Sequence, residues 1–112
     1  MAIPSAMIVS TTFDVQGRRI REYKGVVRGI TVRAPTIAQG ILGGLKSIVG
    51  GQIGAYTEMC EQTRQTAYNL MIEHARQLGA NAVIGMSFDA SEVASRASAT
   101  EVLCYGTAVV LE

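Results

Sequence analysis

The side chains able to do chemistry in this chain are few and scattered. His74 is the sole histidine, and Cys60 and Cys104 are the two cysteines. A structural zinc site wants four close ligands of Cys, His or carboxylate type, and a catalytic one usually three. Cys60 and His74 fall on one predicted helix about four turns apart, ~21 Å along its axis, so they cannot share an ion within a subunit. Cys104 could approach one of them across a helix–sheet interface, giving two ligands at best. Symmetry offers another route, gathering one cysteine per subunit around an axis, where thiolates would suit a soft ion such as Cu(I). Cys60, His74 and Cys104 are therefore the metal candidates, a metal ion is the alternative, and no cofactor is expected. His74 reads first as a hydrogen-bonded core or interface residue. Asp89 and Glu92 would make a carboxylate pair near a strand end, yet without a substrate-shaped context they read as hairpin charges.

Gly50-Gly51-Gln52-Ile53-Gly54 precedes the longest helical pattern. Unpaired N–H groups and the positive end of a helix attract anions. Gly51 and Gly54 would let a phosphate or carboxylate approach the backbone, and Gln52 adds only neutral hydrogen bonds. A small anion held by Gly50, Gly51, Gln52, Gly54 and Tyr56 is the ligand expectation, set against a plain turn between helices. The pattern is neither a Walker A motif nor a dinucleotide fingerprint. Tyr23, Tyr56, Tyr68 and Tyr105 carry polar tips on apolar bodies, which suits an interface as well as a pocket.

Those residues must be positioned by a small scaffold. At 112 residues there is room for one domain, 1–112, with a short tail over 1–6. The composition is 48% hydrophobic and 17% charged, apolar for a domain with so much surface, which points to self-association. Net charge is +1, excluding a general attraction to nucleic acid or anionic lipid. Six of the ten basic residues nevertheless fall between Arg18 and Arg33. They read as an edge-protecting strand face; the alternative, a nucleic-acid groove, lacks aromatic residues for base stacking. No run approaches the ~20 apolar residues of a membrane helix. Neither a leader nor a CxxC spacing is present, so the expected address is the cytoplasm.

Extended segments are expected over Met7–Thr12 and Arg18–Val32. A short glycine-rich helix, Ile37–Ile48, follows Thr36 as N-cap. The long amphipathic helix is expected over Gly54–Leu78, with Tyr56, Cys60, Thr63, Ala67, Leu70, Met71, His74 and Leu78 on its apolar side and Gly79 as its C′ residue. Two strands complete the chain. In Asn81–Ala90, Ala82, Ile84, Met86 and Phe88 should share one face. Ala67, Leu70, Met71, Ile84, Met86 and Phe88 should then share a core. Glu101–Leu111 is apolar on both faces: Val102, Cys104, Ala108 and Val110 on one, Leu103, Tyr105, Val109 and Leu111 on the other. One helix covers one face of a small sheet; the short helix could cover part of the second, a neighbouring subunit is the simpler cover, and a charge at Val109 or Leu111 should dissociate the assembly or abolish soluble expression.

The segments Ser10-Thr11-Thr12, Ile20, and Tyr23-Lys24-Gly25-Val26-Val27 with Gly29 begin an ordered set of short motifs. It continues through Ile48-Val49-Gly50-Gly51 with Tyr56, Leu78-Gly79-Ala80-Asn81-Ala82-Val83-Ile84-Gly85, and Gly106-Thr107-Ala108-Val109. In this order and spacing the chain, from Ser10 to Val110, resembles the YbjQ-like family of small bacterial and archaeal proteins, labelled "putative heavy-metal-binding". The resemblance implies a β-α-β-β unit with a three-stranded antiparallel sheet, similar to dodecin subunits, assembled into a ring-like pentamer. It implies no known activity. Gln52 and Ile53 stand where the family commonly has Arg and Ser, and Ser91–Thr100 is Ala/Ser-rich where the family is hydrophobic. The combined expectation is an α+β homo-oligomer that binds a small ligand or ion. Heavy-metal binding, or an enzyme site at the subunit interface, is the alternative.

Overall fold

A computed structural model describes residues 6–33, 52–94 and 99–112. They form strands β1 (Ile8–Val9) and β2 (Ile20–Arg33), helix α1 (Gln52–Gln77), and strands β3 (Ala82–Ala94) and β4 (Ala99–Leu111). The sheet runs β1-β3-β4-β2. β2 and β3 flank β4 antiparallel, whereas β1 joins β3 in parallel. The expected α+β class holds, but the sheet is mixed and four-stranded rather than three-stranded and antiparallel. The addition comes from the first extended segment, of which two residues pair. Ser10 and Thr12 then close a side-chain-bonded turn, with Thr12 Oγ1 donating to Asp14 O at 2.6 Å, and the chain leaves the sheet edge. The short helix expected over 37–48 lies outside the described residues.

The long helix starts two residues earlier than expected and stops as expected. Gly79 takes φ 81°, its N–H donates to Arg76 O at 3.0 Å, and Ala80 N–H donates to Ala75 O at 3.1 Å. That pair of bonds is a Schellman cap, which needs a left-handed residue at C′.

α1 runs antiparallel along β2, tied by Arg33 Nε donating to Thr63 Oγ1 at 2.8 Å and Arg28 N–H donating to His74 Nδ1 at 3.2 Å. Its buried stripe is Thr63, Ala67, Met71 and Ala75. Leu70, expected in the core, is instead 47% exposed, and Cys60 and Leu78 are exposed too. The reason is a close approach: a Cβ at Gly29 would stand 2.0 Å from Ala67 O and 2.5 Å from Met71 N. With helix backbone against strand backbone, only small side chains fit directly beneath, and the larger Leu70 moves to the flank.

β3 also departs from strict alternation. Ile84 pairs with Thr107 but Ser87 with Tyr105, so one extra residue sits in β3 around Gly85, whose φ is 62°. This bulge reverses which face later residues take. Ile84 packs on the outer face with Ala82, Val109 and Leu111, while Met86 and Phe88 pack on the helix side with Val83, Ala67 and Met71. The single core expected from alternation is thus two clusters.

On β4 the two apolar faces are as expected. Val102, Cys104 and Ala108 face α1; Val109 and Leu111 face away. The outer face is covered at one end by Ile8, Val15 and Ile20. At the other end it is open, leaving Val26 72% and Val32 51% exposed with Ile30 and Tyr105 beside them. Val109 and Leu111 are therefore buried within the subunit, and of the two outcomes expected for a charge there, loss of soluble protein is the one this burial supports. No helix among the described residues is long and apolar enough to cross a membrane.

Gly29→Ala should destabilise the protein by about 1–3 kcal/mol or more, because the helix must move away from β2. Leu70→Ala should fall below the about 2–5 kcal/mol of a buried leucine. Urea unfolding at matched protein concentration measures both; the reverse order would contradict the packing described.

Candidate functional site

α1 packs mainly on β2 and β4, and a cleft opens where it stands off from β3. The cleft measures about 260 Å³ and is lined by Glu61, Arg64, Gln65, Tyr68, Met86 and Phe88. Spacings of three, four and seven put the four helical residues on one flank of α1. Met86 and Phe88 reach it because the bulge at Gly85 turns them to the helix side. The Arg64 guanidinium carbon stands 5.4 Å from the centroid of the Phe88 ring, a cation–π distance. Glu61 and Arg64 form no ion pair among the described residues. Gln65 donates its Nε2 to Asn69 Oδ1 at 2.9 Å, which leaves its carbonyl oxygen as an acceptor. An apolar floor with an unpaired cation and acid at the rim can hold a small molecule with an apolar body and a charged end. The polar groups of the lining are Glu61, Arg64, Gln65 and Tyr68, set beside the apolar Met86 and Phe88.

The sites expected from sequence fall elsewhere. Gly50 and Gly51 lie outside the described residues, as do the side chains of Gln52 and Tyr56. Gln52 is the first residue of α1 and Gly54 lies in its first turn, so the expected loop ends sooner than Gly54. Cys60 is exposed on α1. His74 is partly buried, with Nδ1 occupied as acceptor for the Arg28 amide. Cys104 is fully buried, its Sγ 3.6 Å from Met71 Sδ. Among the described residues, no three of His, Cys, Asp and Glu come together as a metal group. Asp89 and Glu92 are exposed on β3. The Arg64–Phe88 cleft had no counterpart in the sequence reading. Of its lining the sequence offers Tyr68, whose polar tip suits an interface or a pocket, but nothing local places Phe88 opposite it.

Burial pushes the Cys104 thiol up from an ordinary 9.0 to about 11. The neutral thiol is the form the fold holds, so the unfolded chain ionises first and stability should fall as pH rises from about 9 to 11. Cys104→Ala should remove that part of the pH slope. Iodoacetamide at mildly alkaline pH should modify Cys60 in the native protein and reach Cys104 only after unfolding. Native labelling of Cys104 would contradict its enclosure.

Comparison with known proteins places this geometry in a family. A family model described as "putative heavy-metal-binding" matches residues 7–112. A UPF0145 protein of Legionella pneumophila (strain Philadelphia 1) is 56% identical over 105 residues, covering 94% of this chain and 98% of that one. One from Francisella tularensis (strain WY96-3418) is 52% identical over 105 residues, covering 93% and 99%. The fold is shared with a crystal structure of a protein of unknown function from Pediococcus pentosaceus, assigned to the DUF74 family. That match has a TM-score of 0.63 at 19% identity and covers 95% of this chain and 98% of that one. On the match to the family model and the identity of these relatives, the chain belongs to the YbjQ-like, UPF0145 family.

Proposed function

We propose that the protein is a homo-oligomeric small-ligand-binding or scaffold protein, with the Arg64–Phe88 cleft as its ligand seat. The observation that carries the assembly is the open end of the outer sheet face, where Val26, Ile30, Val32 and Tyr105 are exposed around Arg28, the ladder partner of Tyr105. An apolar patch of this kind on a small domain is the usual mark of a protein contact. The family resemblance favours five copies in a ring, and we place the protein in the cytoplasm. At the start of α1, Gly50, Gly51, Gln52, Gly54 and Tyr56 remain a proposed small-anion site, testable by amide shift titration with phosphate.

Metal binding is the second reading, favoured by the description of the family model. Within one subunit the geometry gives it little, since His74 is engaged and Cys104 enclosed. If symmetry gathers thiolates around an axis, the exposed Cys60 is the residue to do it.

Light scattering after size exclusion, at micromolar concentration, should give a mass several times 11.9 kDa. Ile30→Lys, which charges the open patch without entering either core, should lower that mass. Native mass spectrometry of untagged, gently purified protein should show a retained small mass that Phe88→Ala releases. A stable wild-type monomer would overturn the proposed assembly, and metal retained by wild type but lost in Cys60→Ser would favour the second reading.

A further inference from the structure

Helix α1 carries two Glu–Arg pairs of the same order and spacing, Glu61 with Arg64 and Glu73 with Arg76. Side chains three apart on a helix are neighbours, and opposite charges at that spacing attract. Glu73 and Arg76 meet at 3.2 Å. Glu61 and Arg64 form no such pair among the described residues, because Arg64 turns instead to the Phe88 ring, 5.4 Å from its centroid. A cation–π contact uses the charge and spends no hydrogen bond. The N–H fork of Arg64 and the carboxylate of Glu61 are thus both without a hydrogen-bond partner among the described residues, side by side at the mouth of the cleft.

The open groups differ in what they can hold. Arg64 is the one cation among the described lining residues, and its planar fork matches a carboxylate. Glu61 accepts only. The carbonyl oxygen of Gln65 is an acceptor too, its Nε2 being given to Asn69 at 2.9 Å, and the Tyr68 hydroxyl can accept as well. Three acceptors match the three hydrogens of an ammonium. A ligand with a carboxylate alone would bring its charge beside Glu61, and one with an amine alone would bring its charge beside Arg64. A molecule with both charges meets neither repulsion. Met86 and Phe88 supply the apolar floor. The cleft, about 260 Å³, falls below the roughly 300–1,000 Å³ typical of sites for drug-sized ligands, so its occupant is small.

Resting on the cleft as the ligand seat, we propose that its ligand is a free α-amino acid with an apolar side chain. The Arg64 fork takes the carboxylate, and Glu61, Gln65 and Tyr68 take the ammonium. The side chain lies beside Met86 and the Phe88 ring. The two charges of an α-amino acid are carried on adjacent carbons, which suits acid and base three residues apart on one helix flank. The ligand then stands between Glu61 and Arg64, where no direct ion pair forms. Glu61 and Arg64 are exposed, so each contact strengthens binding only modestly.

Amide shift titration with L-leucine and with its two halves, isocaproate (no ammonium) and isoamylamine (no carboxylate), tests the assignment. L-leucine should move the signals of Glu61, Arg64, Gln65, Tyr68 and Phe88. It should bind roughly two- to fivefold more tightly than either half, the range of an exposed ion pair. Glu61→Gln should remove that advantage over isocaproate without weakening isocaproate. Arg64→Gln should weaken L-leucine and isocaproate and spare isoamylamine. Both variants change exposed helix positions and should keep the wild-type circular dichroism spectrum. The proposal is overturned if L-leucine moves none of these signals, if either half binds as tightly as L-leucine, or if Glu61→Gln binds L-leucine as wild type does. In those cases a small mass retained by wild type and released by Phe88→Ala still upholds the ligand seat. No such mass, with no response to any of the three probes, fails the seat itself.

Discussion

Helix α1 can lie on β2 only because Gly29 has no side chain, and the rest of the helix side is arranged around that contact. With backbone against backbone at this point, Ala67, Met71 and Ala75 become the inward residues of the helix. The same approach brings His74 within reach of the Arg28 amide and Thr63 within reach of Arg33. It also draws α1 towards the β2 side of the sheet, and the cleft on the β3 side is the complement of that displacement. Cys104, opposite Gly29 in the ladder, is sealed beneath Met71 by the same packing. A reactive or metal-binding thiol is thereby turned into a core side chain.

A second constraint acts on the sheet. One extra residue at Gly85 divides β3 into a first part whose Ala82 and Ile84 serve the outer core and a second part whose Met86 and Phe88 serve the helix side. Without that bulge Phe88 would leave the cleft and Arg64 would lose its ring. The outer core is closed by the chain's own early segment through Ile8, Val15 and Ile20, and the closure reaches only part of the face. What stays open is the stretch bounded by β2, where Val26, Ile30 and Val32 are exposed.

Much of this was legible in the residues. The long helix, its glycine cap and the doubly apolar last strand follow from periodicity and end signals that are local and strong. The inward face of the helix was legible at Thr63, Ala67 and Met71 but not at its margins, because a hydrophobicity pattern points to the largest apolar residues, whereas close approach selects the smallest. For that reason Leu70 lies on the flank, while Ala75, absent from the expected apolar side, points inward. The face taken by Ile84 was missed because Gly85 reads as an ordinary strand glycine until its pairing is known. The cleft was illegible for both reasons at once, since one wall depends on the helix phase and the other on the bulge. The cover over Val109 and Leu111 within the subunit was not legible, because the two-residue strand β1 and its turn are too short to register.

The central claim is that a second copy covers the open patch on the outer face of β2. Residue-resolved amide hydrogen exchange tests it most directly, comparing Val26, Ile30 and Val32 with their neighbours on the inner, β4-bonded side of the same strand. At micromolar concentration these outward amides should be protected as strongly as the inward ones of Val27 and Gly29, and should lose that protection on dilution. Fast exchange at Val26, Ile30 and Val32 at every concentration, with the inward amides protected, would show a patch that faces water and contradict the account.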